Sequence, residues 1–142
     1  GRILYIEDDL NTQASIAEVL EKLGYEVQNY SCLELAIDYI KKFPDAFDMV
    51  ITDFIIGEYL LGGQEVLDTV RLVQPDCPVI LLTGYFKDLD RQTTQDQAFS
   101  YIVQKPVDFS KISQIVSRFL KKKLTADFDN KNKNSEVFDH DY

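Results

Sequence analysis

Short apolar runs that break off at polar residues recur along the chain, and helical periodicity fills the intervals between them. Ile3-Leu4-Tyr5-Ile6 stops at Glu7-Asp8-Asp9, as a buried parallel strand stops at the polar edge of its sheet. Ile16, Val19, Leu20 and Leu23 then fall on one helical face, and Gly24 supplies a C-terminal stop. Tyr25 to Tyr30 alternates as an edge strand would. Ser31-Cys32-Leu33-Glu34 has the spacing of a capping box, which predicts a helix from about Cys32 to Phe43.

The same rhythm continues. Met49-Val50-Ile51-Thr52 reads as a third strand ending at Asp53, and Val66, Leu67, Val70 and Val73 give Gln64 to Val73 a helical face. Pro78 to Leu82 is a fourth strand ending at Thr83-Gly84, and a more polar helix is expected over Asp88 to Phe99. Tyr101-Ile102-Val103 is a fifth strand ending at Gln104-Lys105-Pro106. Ile112, Ile115, Val116, Phe119 and Leu120 form the clearest amphipathic helix, with Asp108 as its cap. Five strands alternating with five helices predict an α/β fold, a doubly wound parallel sheet with right-handed crossovers and helices on both faces. This domain is expected over residues 1–124. Residues 125–142 shift to Asp, Asn and Lys, the composition of a polar acidic tail or linker.

Composition removes several functional classes. A chain of 142 residues fits one domain with a short extension. Its apolar runs fall far short of the roughly 20 residues of a membrane span, so a soluble, cytoplasmic protein is expected. The first residue is not Met, which leads us to expect a piece of a longer protein. The net charge of -9 would repel nucleic-acid phosphates and anionic membranes. His140, the single histidine, lies in the polar tail, which argues against His-based triads and multi-His zinc sites. Cys32 and Cys77 lack metal-ligand spacing and are expected to be reduced thiols.

In open α/β sheets, ligands bind beyond the carboxyl ends of the strands. Here those ends carry Glu7 and Asp8, then Asp53, Thr83 and Lys105. Three carboxylates supply -3 and Lys105 +1, so -3 + 1 leaves -2, the charge one Mg²⁺ would cancel. Magnesium takes hard oxygen ligands, commonly one or two carboxylates together with phosphate oxygens. The constellation thus suits a divalent ion and a phosphoryl group together.

Four segments in combination resemble the response-regulator receiver domains of two-component signalling. They are Ile3-Leu4-Tyr5-Ile6-Glu7-Asp8-Asp9, Val50-Ile51-Thr52-Asp53, Leu81-Leu82-Thr83-Gly84 and Lys105-Pro106. The resemblance covers about residues 2 to 124. It implies a flavodoxin-like sheet of strand order 2-1-3-4-5, with Asp53 accepting phosphate from the phosphohistidine of a histidine kinase or phosphotransfer protein. It further implies that Glu7, Asp8, Asp53 and the Ile55 backbone carbonyl hold Mg²⁺, and that Thr83 and Lys105 bind the phosphoryl oxygens. Such a domain is a switch with only Mg²⁺-dependent self-phosphorylation and autodephosphorylation. It signals to an effector domain or a second copy through the surface of its fourth helix, fifth strand and fifth helix.

The chain also departs from the family pattern. Ile56-Gly57-Glu58-Tyr59-Leu60-Leu61-Gly62-Gly63 lacks the usual Pro and is about two residues longer than the family's turn, from which we expect a more mobile loop. The usual switch aromatic, three residues before the Lys, is replaced by Ile102, with Tyr101 one position earlier. These departures keep open a phosphorylation-independent, receiver-like interaction module. A small Mg²⁺-dependent aspartyl phosphatase is a poorer match, because Glu7-Asp8-Asp9-Leu10 lacks its paired-Asp spacing and the chain has no room for a cap.

Overall fold

The central strands at Met49–Asp53 and Val79–Thr83 are buried along their whole length because both faces of the sheet are covered. The computed structural model describes residues 1–84 and 99–134, and side chains as far as Lys121. Strands β1 (Arg2–Ile6), β2 (Glu26–Tyr30), β3 (Met49–Asp53), β4 (Val79–Thr83) and β5 (Tyr101–Gln104) form one parallel sheet in the order β2-β1-β3-β4-β5. Every residue of β3 and β4 is buried, whereas the edge strand β2 is half exposed. That contrast separates continuous apolar runs from the weak alternation of Tyr25 to Tyr30. Among the described residues the helices are α1 (Leu10–Lys22), α2 (Leu33–Lys42), α3 (Gly62–Val73) and α4 (Phe109–Asn134). The helix expected over Asp88 to Phe99 falls almost wholly on residues outside those described.

Successive strand side chains point to opposite faces, and the core divides accordingly. Leu4, Ile6, Val50 and Val79 pack with α2 and α3 through Ile37, Ile40, Leu67 and Val70. Ile3, Tyr5, Ile51 and Leu82 pack with α1 and α4 through Ile16, Leu20, Ile112 and Val116. Burying one such aliphatic side chain contributes roughly 1.5–3 kcal/mol, so the two layers hold the sheet from both sides. Among the described residues, no helix is long and apolar enough to cross a membrane. Cys32 and Cys77 both carry reduced thiols, and Cys77 is buried.

Helix ends show which local signals operate. Asp9 caps α1, accepting from the Asn11 and Thr12 amides at 3.0 and 3.1 Å. Such a cap contributes about 1 kcal/mol. Gly24, at φ 98°, takes the left-handed conformation that follows this helix. Asp108 caps α4 through the Ser110 and Lys111 amides. That helix continues past residue 124 to Asn134. The capping box at Ser31 is not formed. The residue at the N-cap of α2 is Cys32, with no side-chain cap bond, because Glu34 is engaged elsewhere, accepting from Cys32 Sγ at 3.1 Å and from the Tyr59 hydroxyl.

The Gly62-Gly63 pair begins α3 rather than forming the turn before it. A Cβ on Gly63 would lie 2.5 Å from the Asp53 carbonyl oxygen and 2.7 Å from Phe54 Cα. These are backbone atoms that cannot swing aside. At Gly62 the nearest atoms, at 3.0 Å, belong to the Ile56 side chain. Overpacking of this kind costs typically about 1–3 kcal/mol. Gly63→Ala is therefore expected to lower urea stability by roughly that amount, and by more than Gly62→Ala; equal midpoints for the two variants contradict the close approach.

Candidate functional site

The strands end in register, so their terminal side chains gather at one edge of the sheet. Ile6 pairs with Thr52, Asp53 with Leu82, and Thr83 with Gln104. The Lys105 amide donates to the Thr83 carbonyl at 2.8 Å, extending the ladder by one residue. Past β1, the Glu7 amide bonds the Tyr30 carbonyl at 3.0 Å, and Gln13 Nε2 donates to the carbonyls of Glu7 and Tyr30. Glu7 is thereby fixed at the start of the loop into α1.

The result is a cleft of about 310 Å³ lined by Glu7, Asp8, Asp53, Ile55, Thr83 and Lys105 among others. All five strand-end residues picked out by pattern meet there, together with Ile55. Lys105 Nζ lies 2.6 Å from Asp53 Oδ1 and 3.2 and 3.3 Å from the two Glu7 oxygens. Glu7 is fully buried, while Asp8 is exposed at the mouth and accepts from the Gly57 amide at 3.0 Å. Asp9 also lines the cleft, but its carboxylate is taken up by the cap of α1.

The charge balance governs the site. Burial and the neighbouring Glu7 carboxylate push Asp53 up to about 8, against the opposing pull of Lys105. Burial alone would lower Lys105, but the hydrogen bond and charge of Asp53, with Glu7, hold it above its ordinary value. One ammonium does not compensate three carboxylates. One oxygen each from Glu7, Asp8 and Asp53 lies within 4.8 Å of the others. These donors are hard oxygens, the set that Mg²⁺ or Ca²⁺ takes, so the residues fit a divalent cation of that type.

Three contributors to the site gave no motif. The Tyr5 hydroxyl donates to Glu7 Oε1 at 3.2 Å. The available signal was a tyrosine in an otherwise apolar strand, two residues before an acid and therefore on the same face. Gln13 and Gly57 act through backbone partners, which residue spacing does not announce. Gly57, at φ 60°, occupies the first central position of a two-residue turn closed by Ile56–Tyr59 hydrogen bonds of 3.1 and 2.9 Å. The additional loop residues are thus folded into a small hairpin, tied to Asp8 by Gly57 and to α2 by Tyr59.

Tyr101 takes a definite side. Its ring joins the α1/α4 core, edge-on to Phe119 and beneath the Arg118 guanidinium at 5.6 Å. Ile102 packs on the other face against Phe54 and Leu81. Thr83 alternates with Leu82 and so shares the face of Leu81 and Ile102. The sheet separates Tyr101 from the space beside Thr83.

Residues 3–117 match the family model of the response regulator receiver domain. The transcriptional regulatory protein ZraR of Klebsiella oxytoca is 27% identical over 119 residues, covering 83% of this chain and 26% of that protein. The chain spans 37% and 63% of the length of two further curated relatives. A crystal structure of a response regulator receiver domain protein from Clostridium thermocellum superposes with a TM-score of 0.78 at 24% identity, over 89% of this chain and 98% of that one. The response regulator protein TrrA of Thermotoga maritima, crystallised in complex with Mg²⁺-BeF, gives a TM-score of 0.70 at 29% identity, covering 83% and 97%.

Asp53 sets a pH dependence whose sign follows from the raised value. Without a divalent cation, the folded chain keeps the Asp53 proton up to about 8, whereas the unfolded chain loses it near 3.8. Between those values the folded state binds more protons, so this contribution to stability is full below the lower value and is lost as pH rises through the upper one. Urea midpoints of the wild type, measured without divalent cations, should fall relative to those of Asp53→Asn across this window. A constant difference between the two proteins contradicts the assignment.

Proposed function

The chain belongs to the response regulator receiver domain family, and from that premise we propose that it is a phosphoacceptor whose nucleophile is Asp53. The observation that carries the reading is Lys105 Nζ at 2.6 Å from the buried Asp53 carboxylate, in a cleft shared with Glu7, Asp8 and Thr83.

In the proposed reaction an Asp53 oxygen attacks the phosphorus of a phosphohistidine presented by a histidine kinase or phosphotransfer protein. The P–N bond breaks as the P–O bond forms, and the departing imidazole takes up a proton. Catalysis of such transfers rests on positioning and charge neutralisation. Glu7, Asp8, Asp53 and the Ile55 backbone carbonyl would hold Mg²⁺, which when bound neutralises the phosphoryl oxygens. Lys105 would pair with an oxygen of the new acyl phosphate, and the Thr83 hydroxyl would donate to another. The outcome is a switch rather than turnover of a separate substrate.

The aspartyl phosphate carries roughly -1.5 to -2 of charge, where the carboxylate carried -1, and presents three phosphoryl acceptor oxygens. Movement of Thr83 toward it would be felt first by Leu81 and Ile102, its neighbours on the same face. The output surface would lie on β5, α4 and the helix expected over Asp88 to Phe99, facing an effector domain or a second copy. Residues 1–124 would form the receiver in the cytoplasm and 125–142 the link onward. One observation favours a second reading, a receiver-like module that works without phosphate: the Tyr101 ring stands across the sheet from Thr83.

Incubation with Mg²⁺ and a small acyl-phosphate donor should add a single phosphoryl group, seen by intact mass. The adduct should vanish in Asp53→Asn and fall by at least about tenfold in rate in Lys105→Ala, one lost charge contact being worth about 1.5–3 kcal/mol. No adduct on the wild type would favour the phosphate-independent module.

A further inference from the structure

Tyr5 is one of the largest fully buried side chains, set in β1 opposite Asn29 on one side and Ile51 on the other. Its ring lies among apolar side chains such as Ile3, Ile16 and Ile51. A phenol hydroxyl in such surroundings is costly without a partner. Its partner is Glu7 Oε1, at 3.2 Å. Residues two apart on a strand share a face, so the hydroxyl reaches the carboxylate from within the core.

Glu7 is held at both oxygens. Oε1 accepts from Tyr5 and Lys105, and Oε2 accepts from the Asp9 amide and Lys105, at 3.2 to 3.3 Å. A glutamate has one more rotatable bond than an aspartate, so its carboxylate needs more restraint to hold one orientation. Lys105 also reaches Asp53, so a rotated Glu7 would alter the partition of that ammonium as well as the oxygen offered beside Asp8.

We propose that Tyr5 is a positioning residue for the phosphoryl-transfer site, its buried hydroxyl fixing the Glu7 carboxylate in the orientation that completes the cation-binding oxygens and receives Lys105. The proposal rests on the receiver reading given above. Groups that hydrogen-bond metal-ligating carboxylates from behind are commonly worth about 10–100-fold in metal affinity.

Tyr5→Phe keeps the ring and removes the oxygen. In the full chain, calorimetric titration with Mg²⁺ should show binding about tenfold weaker than wild type, toward the low end of that range. The Mg²⁺ concentration giving half the maximal adduct rate should rise with it, and by a larger factor than the rate at saturating Mg²⁺ falls. A residue that served packing alone would lower stability without this split. In a Glu7→Gln background, Tyr5→Phe should weaken Mg²⁺ binding no further, because the two would act as one unit. In the wild type itself, the Tyr5 ring NMR signals should shift along the same Mg²⁺ titration.

Unchanged Mg²⁺ affinity in Tyr5→Phe, equal weakening in both backgrounds, or Tyr5 signals indifferent to Mg²⁺ would each overturn the role of Tyr5 and leave the receiver reading intact. A wild-type chain that neither binds Mg²⁺ nor forms the adduct would overturn both.

Discussion

The site depends on one half-buried ammonium placed between carboxylates that it does not neutralise. Lys105 meets Asp53 and both oxygens of Glu7, and Asp8 stands at the mouth. Buried charges are tolerated when paired and hydrogen-bonded and are severely destabilising when left alone. Lys105 offsets part of this carboxylate charge, and burial together with Glu7 still raises the Asp53 carboxyl. A site so arranged is stable enough to exist and still favours a second cation.

The rest of the fold can be understood as what holds these groups together. Parallel pairing brings the ends of β1, β3 and β4 to one edge, and the ladder continues to the Lys105 amide. Two helical layers bury the strands from both sides, so the charged residues find water only beyond the strand ends. Asp9 spends its carboxylate on the α1 cap, which separates it from Glu7 and Asp8 despite their adjacency in sequence. On the other side, α3 approaches so closely that only glycine fits at position 63 beside the Asp53 backbone.

Much of this was legible in the sequence because it follows from one-dimensional patterns. Apolar runs of a few residues, stopping at Glu7, Asp53, Thr83 and Lys105, marked both the strands and the edge where chemistry would gather. What was not legible depends on partners distant in sequence. Ser31 satisfies the capping-box spacing, yet Glu34 bonds Cys32 and Tyr59, and Tyr59 lies on another loop. The lengthened loop gave no sign of the Ile56–Tyr59 pairing or of the Gly57 amide reaching Asp8. Tyr101 and Ile102 differ by one position, and in a strand that difference decides the face. Only the packing of Phe119 and Arg118 showed which face Tyr101 takes.

Burial and the neighbouring Glu7 carboxylate favour a proton on Asp53 that a bound divalent cation would displace. Calorimetric titration of the wild-type chain with Mg²⁺ near neutral pH, repeated in buffers of different ionisation enthalpy, measures both the binding and the protons released with it. The account predicts one saturable site whose filling expels part of a proton, with release diminishing as pH rises past the Asp53 value of about 8. Binding without proton release, or no saturable binding, would contradict it.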